Sequence, residues 1–381
     1  MKGGAASICG AESQRLHGTT WEMGDGVAAD KTEWPEFERF RHEVKASLDA
    51  ELAAWLGARV GEAARHGTDL EAMADAVRGL VLRGGKRLRA VLLAAAYEAC
   101  GGDGGPPRVV MAGVALELLQ AYLLIHDDWM DRDEVRRGGP TVHALLRDRF
   151  GERRVGDAGA ILAGDYASAL AHKALLEVDL PAERLLAAAR ELAQVEIDVT
   201  SGQLLDVRAS AHAPAGGSGV EMMHALKTGS YTVRGPVLMG AALAGASRAV
   251  MVDFARFAAP LGVAFQLRDD LLGAFGDPKV TGKPAGSDLR EGKHTALIAE
   301  LARDGEAQRL LPRVLGVEDA SADEVDAVLA RMGASGARAR VEARVDALMA
   351  EASSVVLAME LAPSGRAILS GAIAALGTRE G

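Results

Sequence analysis

Leu118-Leu119-Gln120-Ala121-Tyr122-Leu123-Leu124-Ile125-His126-Asp127-Asp128-Trp129-Met130-Asp131 is an apolar stretch that ends in a cluster of aspartates. It closes a run, Val109 to His126, of nearly membrane-spanning length. Glu117 and Gln120 interrupt that run and Asp127, Asp128 and Asp131 follow at once. Charged groups are costly in hydrocarbon, so the segment reads as a buried core helix and not as a membrane span. On a helix, the i and i+4 spacing puts Asp127 and Asp131 on one face. Two carboxylates so placed repel, and they follow apolar sequence where solvation is incomplete. A cation is the natural neutraliser, and hard oxygen ligands suit Mg²⁺, which commonly bridges one or two carboxylates to substrate phosphates.

The same signal recurs further along. Ala264-Phe265-Gln266-Leu267-Arg268-Asp269-Asp270 is again an apolar helical stretch ending in paired aspartates, too distant in sequence to share a helix with the first. Two acidic clusters facing one another would hold a diphosphate through bridging metal ions. Basic groups are interleaved with them. Gly84-Gly85-Lys86-Arg87-Leu88-Arg89 opens an apolar helix, where glycines permit tight backbone geometry and the helix N-terminus favours anions. Lys86 and Arg89, read as one turn apart, would clasp one phosphate. Arg136 and Arg137, read as neighbours on a helix, would point apart and serve different phosphates. Lys227-Thr228-Gly229, Thr281-Gly282-Lys283 and Lys293, on a stretch with Asp288 and Arg290, add further cations.

The rest of the chain is consistent with helix throughout. Ala, Leu and Arg are abundant, and only 4% of residues are aromatic, which favours helix over strand. Apolar residues recur three and four apart through Phe37, Phe40, Val44 and Leu48, then Leu52, Leu56 and Val60. Gly-rich punctuation at Gly84-Gly85, Gly101 to Pro107, Gly138-Gly139-Pro140 and Ala213 to Gly219 separates the segments. Residues 1–32 are rich in Gly, Ala and Ser without an apolar period and read as a flexible tail before one domain, 33–381. No signal peptide is evident. Cys9 and Cys100 form no motif and read as the free thiols of a cytoplasmic protein. The net charge of −10 argues against general nucleic-acid binding, which leans on basic surface. Glu318 to Arg338 reads as an amphipathic helix with no assigned role.

In this order the motifs resemble the trans-isoprenyl diphosphate synthases, or polyprenyl synthetases. They are GGKRLR (Gly84 to Arg89), LLQAYLLIHDDWMD (Leu118 to Asp131), RRGGPTVH (Arg136 to His143), GQLLD (Gly202 to Asp206), KTG (Lys227 to Gly229), FQLRDD (Phe265 to Asp270) and GDPKVTGKPAGSD (Gly276 to Asp288). Each is weak alone; their joint order and spacing are specific. The resemblance implies an all-α bundle of antiparallel helices around a central cavity, usually a homodimer. It implies Mg²⁺ bound by Asp127 and Asp131 with Asp128 in support, and opposite them by Asp269 with Asp270 in support and Asp288 assisting through water. Arg136, Lys227 and Lys283 are similar to allylic diphosphate ligands, and Lys86, Arg89, Gln120 and Arg137 to an isopentenyl diphosphate site. Thr228 and Gln266 would face the developing carbocation, and Gln203 and Asp206 would support the metal and water network. Among these, Asp127, Asp131, Asp269, Lys227, Thr228 and Gln266 are implied to act in catalysis.

One position departs from the family pattern. The second acidic motif often ends in a third aspartate where this chain has Gly273, which is expected to weaken support of the metals. Product length is implied by Tyr122, five residues before Asp127, and by Leu123. A single aromatic at the farther place accompanies the twenty-carbon product in the family, and aromatics at both accompany fifteen. Geranylgeranyl diphosphate is thus the expected product and farnesyl diphosphate the alternative. A terpene cyclase typically needs an Asn-containing second metal motif, and this chain has no Asn. A non-catalytic partner subunit usually loses an acidic motif, and here the first is complete and the second keeps its aspartate pair.

Overall fold

The computed structural model describes residues 34–211, 222–223, 225–276 and 285–377. The expected tail, 1–32, lies outside the described residues, as do Cys9 and Lys283. The described residues are almost wholly helical. The N-terminal half runs through α1 (Trp34–Ala64), α2 (Thr68–Leu82), α3 (Leu88–Ala99), α4 (Val110–Asp131), α5 (Val142–Phe150), α6 (Arg153–Leu176) and α7 (Ala182–Ala211). A π-helical segment, Ala225–Arg234, leads directly into α8 (Gly235–Ala244), followed by α9 (Arg248–Phe275). The C-terminal part comprises the short α10 (Ser287–Arg290), α11 (Ala296–Leu301) and α12 (Ala307–Leu310), then α13 (Ala322–Ala334), α14 (Ala337–Ala358) and α15 (Pro363–Gly377). The one described sheet is a hairpin of β1 (Val135–Arg136) and β2 (Gly139–Pro140).

The apolar spacing of α1 is borne out: Phe37, Phe40, Leu48, Leu52 and Leu56 are buried. The N-terminal half of α4 is buried on every side, from Ala112 through Leu119. Two helices, Pro106–Asp131 and Arg248–Phe275, have the length and apolar character to cross a membrane, and at least half of each apolar window is buried within the bundle. In water, that burial is the main favourable term holding the helices together. Two apolar cores result. One joins α1 to α8; the other gathers α10 to α14. Helix α9 runs through both, with Phe254, Phe257 and Leu261 in the first and Ala264, Leu267 and Leu271 in the second. The paired aspartates Asp269 and Asp270 therefore sit on a helix anchored at both ends.

Close backbone approach is built from small residues. Helix α8 lies against α3, and a Cβ added at Gly240 would run into the Leu93 carbonyl oxygen and the Ala96 methyl. A capping box, Ser321 with Glu324, starts α13 and accounts for the acidic beginning of that amphipathic stretch. Cys100 is a free thiol that burial pushes up to about 11.

Because the Leu93 carbonyl belongs to a helix backbone, it cannot step aside for a methyl. Gly240→Ala is expected to destabilise the fold by about 1–3 kcal/mol, the usual range for overpacking, in urea unfolding followed by circular dichroism. An unchanged midpoint would show that α3 and α8 separate freely.

Candidate active site

The structure brings the two acidic motifs to facing helix ends. Asp127, Asp128 and Asp131 end α4, while Asp269 and Asp270 lie near the end of α9. Between them stands the π-helical segment with Lys227. Its ammonium donates to Asp206 Oδ2 at 2.5 Å and reaches Asp127 Oδ1 at 3.4 Å. Gln203 Nε2 also donates to Asp127 Oδ1, at 2.8 Å. Gln203 and Asp206 are one turn apart on α7, so GQLLD presents both to the first motif. Its glycine has a steric reason. A Cβ at Gly202 would strike the backbone of Lys227, and one at Gly262 would approach the Gly229 Cα to 2.9 Å. Three helices can thus converge on Lys227 only where side chains are missing.

Burial and neighbouring charge set the carboxyls of this junction against their ionised forms. Burial pushes the Asp128 carboxyl up to about 6 despite the Arg136 guanidinium, whose Nε donates to Oδ1 at 2.6 Å. The other oxygen, Asp128 Oδ2, is buried without a partner. Asp131 is open to solvent, yet the crowding of its carboxyl by protein, with the Asp127 charge beside it, also pushes it up to about 6. Lys227 and Lys293 pull it the other way. Asp270 is buried and pushed up to about 7, although Gln266 Nε2 donates to it at 2.8 Å and the Ala296 amide at 3.3 Å. Burial lowers Lys227, but Asp127 and Asp206 overcome this and hold it above its ordinary value.

A cavity of about 860 Å³ opens beside the second motif. Lys86, Arg89, Gln120, Arg137, Lys227, Thr228, Gln266, Asp269, Asp270 and Asp288 all line it. A second cavity of about 360 Å³, mostly apolar, lies on the other side of Lys227 and Tyr231 and is lined by Tyr122, Leu123, His126, Asp127 and Val199 among others. Most of the expected site residues thus line a polar chamber or an apolar one, with Lys227 and Tyr231 in the wall of both, while Asp128, Asp131 and Arg136 line neither.

Several expectations need correction. Arg136 and Arg137 are not on a helix but on the hairpin, because Gly138 and Gly139 turn the chain, and Arg137 adopts φ 51°. They do point apart. Arg136 turns to Asp128 and to Asp133 Oδ2, at 3.1 Å, away from the polar chamber, while Arg137 Nη1 donates to the Gly84 carbonyl at 2.7 Å. Lys86 is likewise in a loop before α3, where Gly84, Gly85 and Arg87 take positive φ, so it does not share a helical turn with Arg89. Gln266 spends its amide on Asp270. Gly273 is not an empty place in the second motif. A Cβ there would collide with the Asp288 carboxylate, so the space a third aspartate would enter is already held by a carboxylate from α10.

Sequence reasoning missed the group that fixes the glycine loop. Arg87 is buried and donates to Glu117 Oε2 at 2.6 Å, Asp49 Oδ1 at 2.8 Å and the Val81 carbonyl at 2.9 Å. Glu117 is itself buried, and its Oε1 has no partner. The signal was present: a lone glutamate inside an apolar helix needs a buried counter-charge. Arg83 also pins the hairpin, through the carbonyls of Arg136 (2.9 Å) and Pro140 (2.8 Å). Arg89 Nη2 donates to Thr232 Oγ1 at 3.1 Å and its guanidinium stacks 4.2 Å above the Tyr231 ring.

Among the described residues no three His, Cys, Asp or Glu side chains converge on one point. The donors that do face the site are carboxylate oxygens spread over two walls. That set, with the orphaned Asp128 Oδ2, fits Mg²⁺, which takes one or two protein carboxylates and completes its shell from water and phosphate oxygens.

The family model described as Polyprenyl synthetase matches residues 70–332. A (2E,6E)-farnesyl diphosphate synthase of Mycobacterium bovis is 38% identical over 267 residues, covering 68% of this chain and 70% of that protein. A geranylgeranyl diphosphate synthase of Methanosarcina mazei is 35% identical over 259 residues, covering 68% and 75%. The crystal structure of geranylgeranyl pyrophosphate synthase from Corynebacterium glutamicum, complexed with isoprenyl diphosphate and magnesium, superposes with a TM-score of 0.77 at 31% identity, covering 91% of this chain and 99% of that one.

Two outcomes follow from the charges. Removing one partner of a buried pair leaves the other uncompensated, so Glu117→Ala should cost about 3–5 kcal/mol in denaturant unfolding. A loss near zero would mean that Asp49 alone neutralises Arg87. The raised carboxyls keep protons up to about 6 for Asp128 and Asp131 and about 7 for Asp270, and a bound cation needs them ionised. Binding of Mg²⁺ alone, without a titrating phosphate ligand, should therefore release protons at about pH 6.5 and release almost none at about pH 8.5. Calorimetry in buffers of different ionisation enthalpy measures this, and equal release at both pH values would contradict it.

Proposed function

Because the chain belongs to the polyprenyl synthetase family of trans-prenyl diphosphate synthases, we propose that it condenses isopentenyl diphosphate with an allylic diphosphate to make geranylgeranyl diphosphate. The observation that carries the chain length is the apolar cavity beside Asp127, with Tyr122 in its wall and no second aromatic at Leu123. A side chain five residues back along α4 lies about 7.5 Å along the axis from Asp127. Identity does not decide the product, since the farnesyl and geranylgeranyl synthases compared above are almost equally similar. The reading includes Mg²⁺ as cofactor, a homodimeric assembly, a cytoplasmic location and one catalytic domain over 33–381.

In this reading the polar chamber handles charge and the apolar one handles the tail. Lys86, Arg89 and Arg137 hold the isopentenyl diphosphate, with Gln120 beside them, and the Arg87–Glu117 pair keeps their loop in shape. Lys227 and Lys283 bind the allylic diphosphate, and Arg136 contributes by orienting Asp128. Asp127, Asp131 and Asp269 would hold Mg²⁺, which would supply Lewis-acid stabilisation of the leaving diphosphate. Asp270 acts in support through Gln266, and Asp288 takes the third-carboxylate place over Gly273. As the C–O bond breaks, the fixed cations meet charge where it develops. Thr228 and the Gln266 carbonyl offer dipoles to the allylic cation. Holding both substrates in one cavity supplies the proximity term, and the apolar chamber keeps water from the cation. The double bond then attacks, and the proton lost from the adduct passes to the released diphosphate.

The test uses purified protein with Mg²⁺, labelled isopentenyl diphosphate and the five-, ten- and fifteen-carbon allylic primers, with products dephosphorylated and sized by chromatography. A twenty-carbon alcohol is expected, and Tyr122→Ala should make longer products. A fifteen-carbon product would keep the chemistry and move the floor towards Asp127. No elongation from any primer would overturn the catalytic reading in favour of a partner subunit.

A further inference from the structure

A floor that separates products by one isoprene unit must be held still, and a ring on one helix is free to turn about its own side-chain bonds unless something braces it. Tyr122 is braced from one side. The His126 ring, one turn along α4, stands edge-on to it with centroids 4.9 Å apart and planes at 70°. His126 in turn is tied to the neighbouring helix α6, with Nε2 3.0 Å from the Ile161 carbonyl oxygen, which makes Nε2 the proton-bearing nitrogen. The Asp165 carboxylate lies further off, at 3.9 Å. The tie exists only because Gly164 has no side chain. A Cβ there would run into Nε2 and Cδ2 of His126.

We propose that His126, seated over Gly164 and bonded to the Ile161 carbonyl, is a positioning residue that locks the Tyr122 ring and so sets how sharply product length is defined. The inference rests on the reading of Tyr122 as the floor. Gly164 does not line the apolar cavity, whereas Tyr122 and His126 do. A methyl at 164 leaves the cavity-lining residues chemically unchanged and drives the imidazole off α6. The hydrogen bond is lost and Tyr122 loses its edge contact. A general weakening of the bundle would lower turnover for every product length alike; loss of the brace changes the proportions among them.

The experiment compares product distributions of wild type, Tyr122→Ala, Gly164→Ala and His126→Leu, each checked for folding by circular dichroism. Leu keeps much of the His volume but neither the bond to Ile161 nor the aromatic edge. The expected result is a distribution in which Gly164→Ala and His126→Leu both lose the single dominant length, with the share at the wild-type length falling below half, while Tyr122→Ala moves the whole distribution longer. If Gly164→Ala does not fold, His126→Leu decides alone. A Tyr122→Ala shift together with a wild-type distribution in the folded brace variants overturns the brace and leaves the floor intact. An unchanged distribution in Tyr122→Ala overturns the floor, and the brace with it.

Discussion

Like charge brought together is the constraint on which the rest of this structure depends. Five carboxylates stand at the ends of α4 and α9, with Asp206 and Asp288 beside them; Asp206, Asp269, Asp270 and Asp288 line the polar chamber and Asp127 the apolar one. Without compensation they would push the helices apart. The protein compensates with side chains that already belong to the site. Lys227 bridges Asp127 and Asp206, Arg136 covers Asp128, and Lys293 reaches Asp288 Oδ1 at 3.3 Å and Glu291 Oε2 at 2.6 Å. Burial works against the charged forms as well, and with the neighbouring carboxylates it pushes Asp128, Asp131 and Asp270 up. An acidic site left partly protonated is one in which an arriving cation replaces protons.

Much of this was legible in the sequence. The 3.6-residue period gave helices, and the break from Ile125-His126 to Asp127-Asp128 marked where a core helix meets the site. The repeat of that break at Asp269 fixed the second wall. Other features were hidden for identifiable reasons. The Arg136-Arg137 hairpin spans only a few residues, too short for any periodic signal, and its geometry follows from glycine torsions at Gly138. The exchange between Gly273 and Asp288 is a contact between distant segments, which one-dimensional spacing does not carry. Arg87 looked like one more cation in a basic motif. Only burial shows that it serves Glu117 and Asp49, while its neighbours Lys86 and Arg89 face the chamber.

Glycines tell a related story. In this bundle they are less a source of flexibility than of proximity. Gly202 and Gly262 let α7 and α9 close on the π-helical segment, and Gly240 lets α8 lie on α3. The wider turn of a π-helix fits that crowding, since such turns recur where function demands an extra residue in a helical path.

The division of the interior into two chambers has an evolutionary consequence. Among the described residues, the walls have only Lys227 and Tyr231 in common. Substitutions at Tyr122, Leu123 or Val199, which line the apolar chamber alone, leave the Lys86, Arg89 and Asp269 surroundings untouched. Selection can therefore act on what is made without first breaking how it is made. A lineage built on this plan would drift easily among tail lengths while its charged chamber stayed nearly invariant.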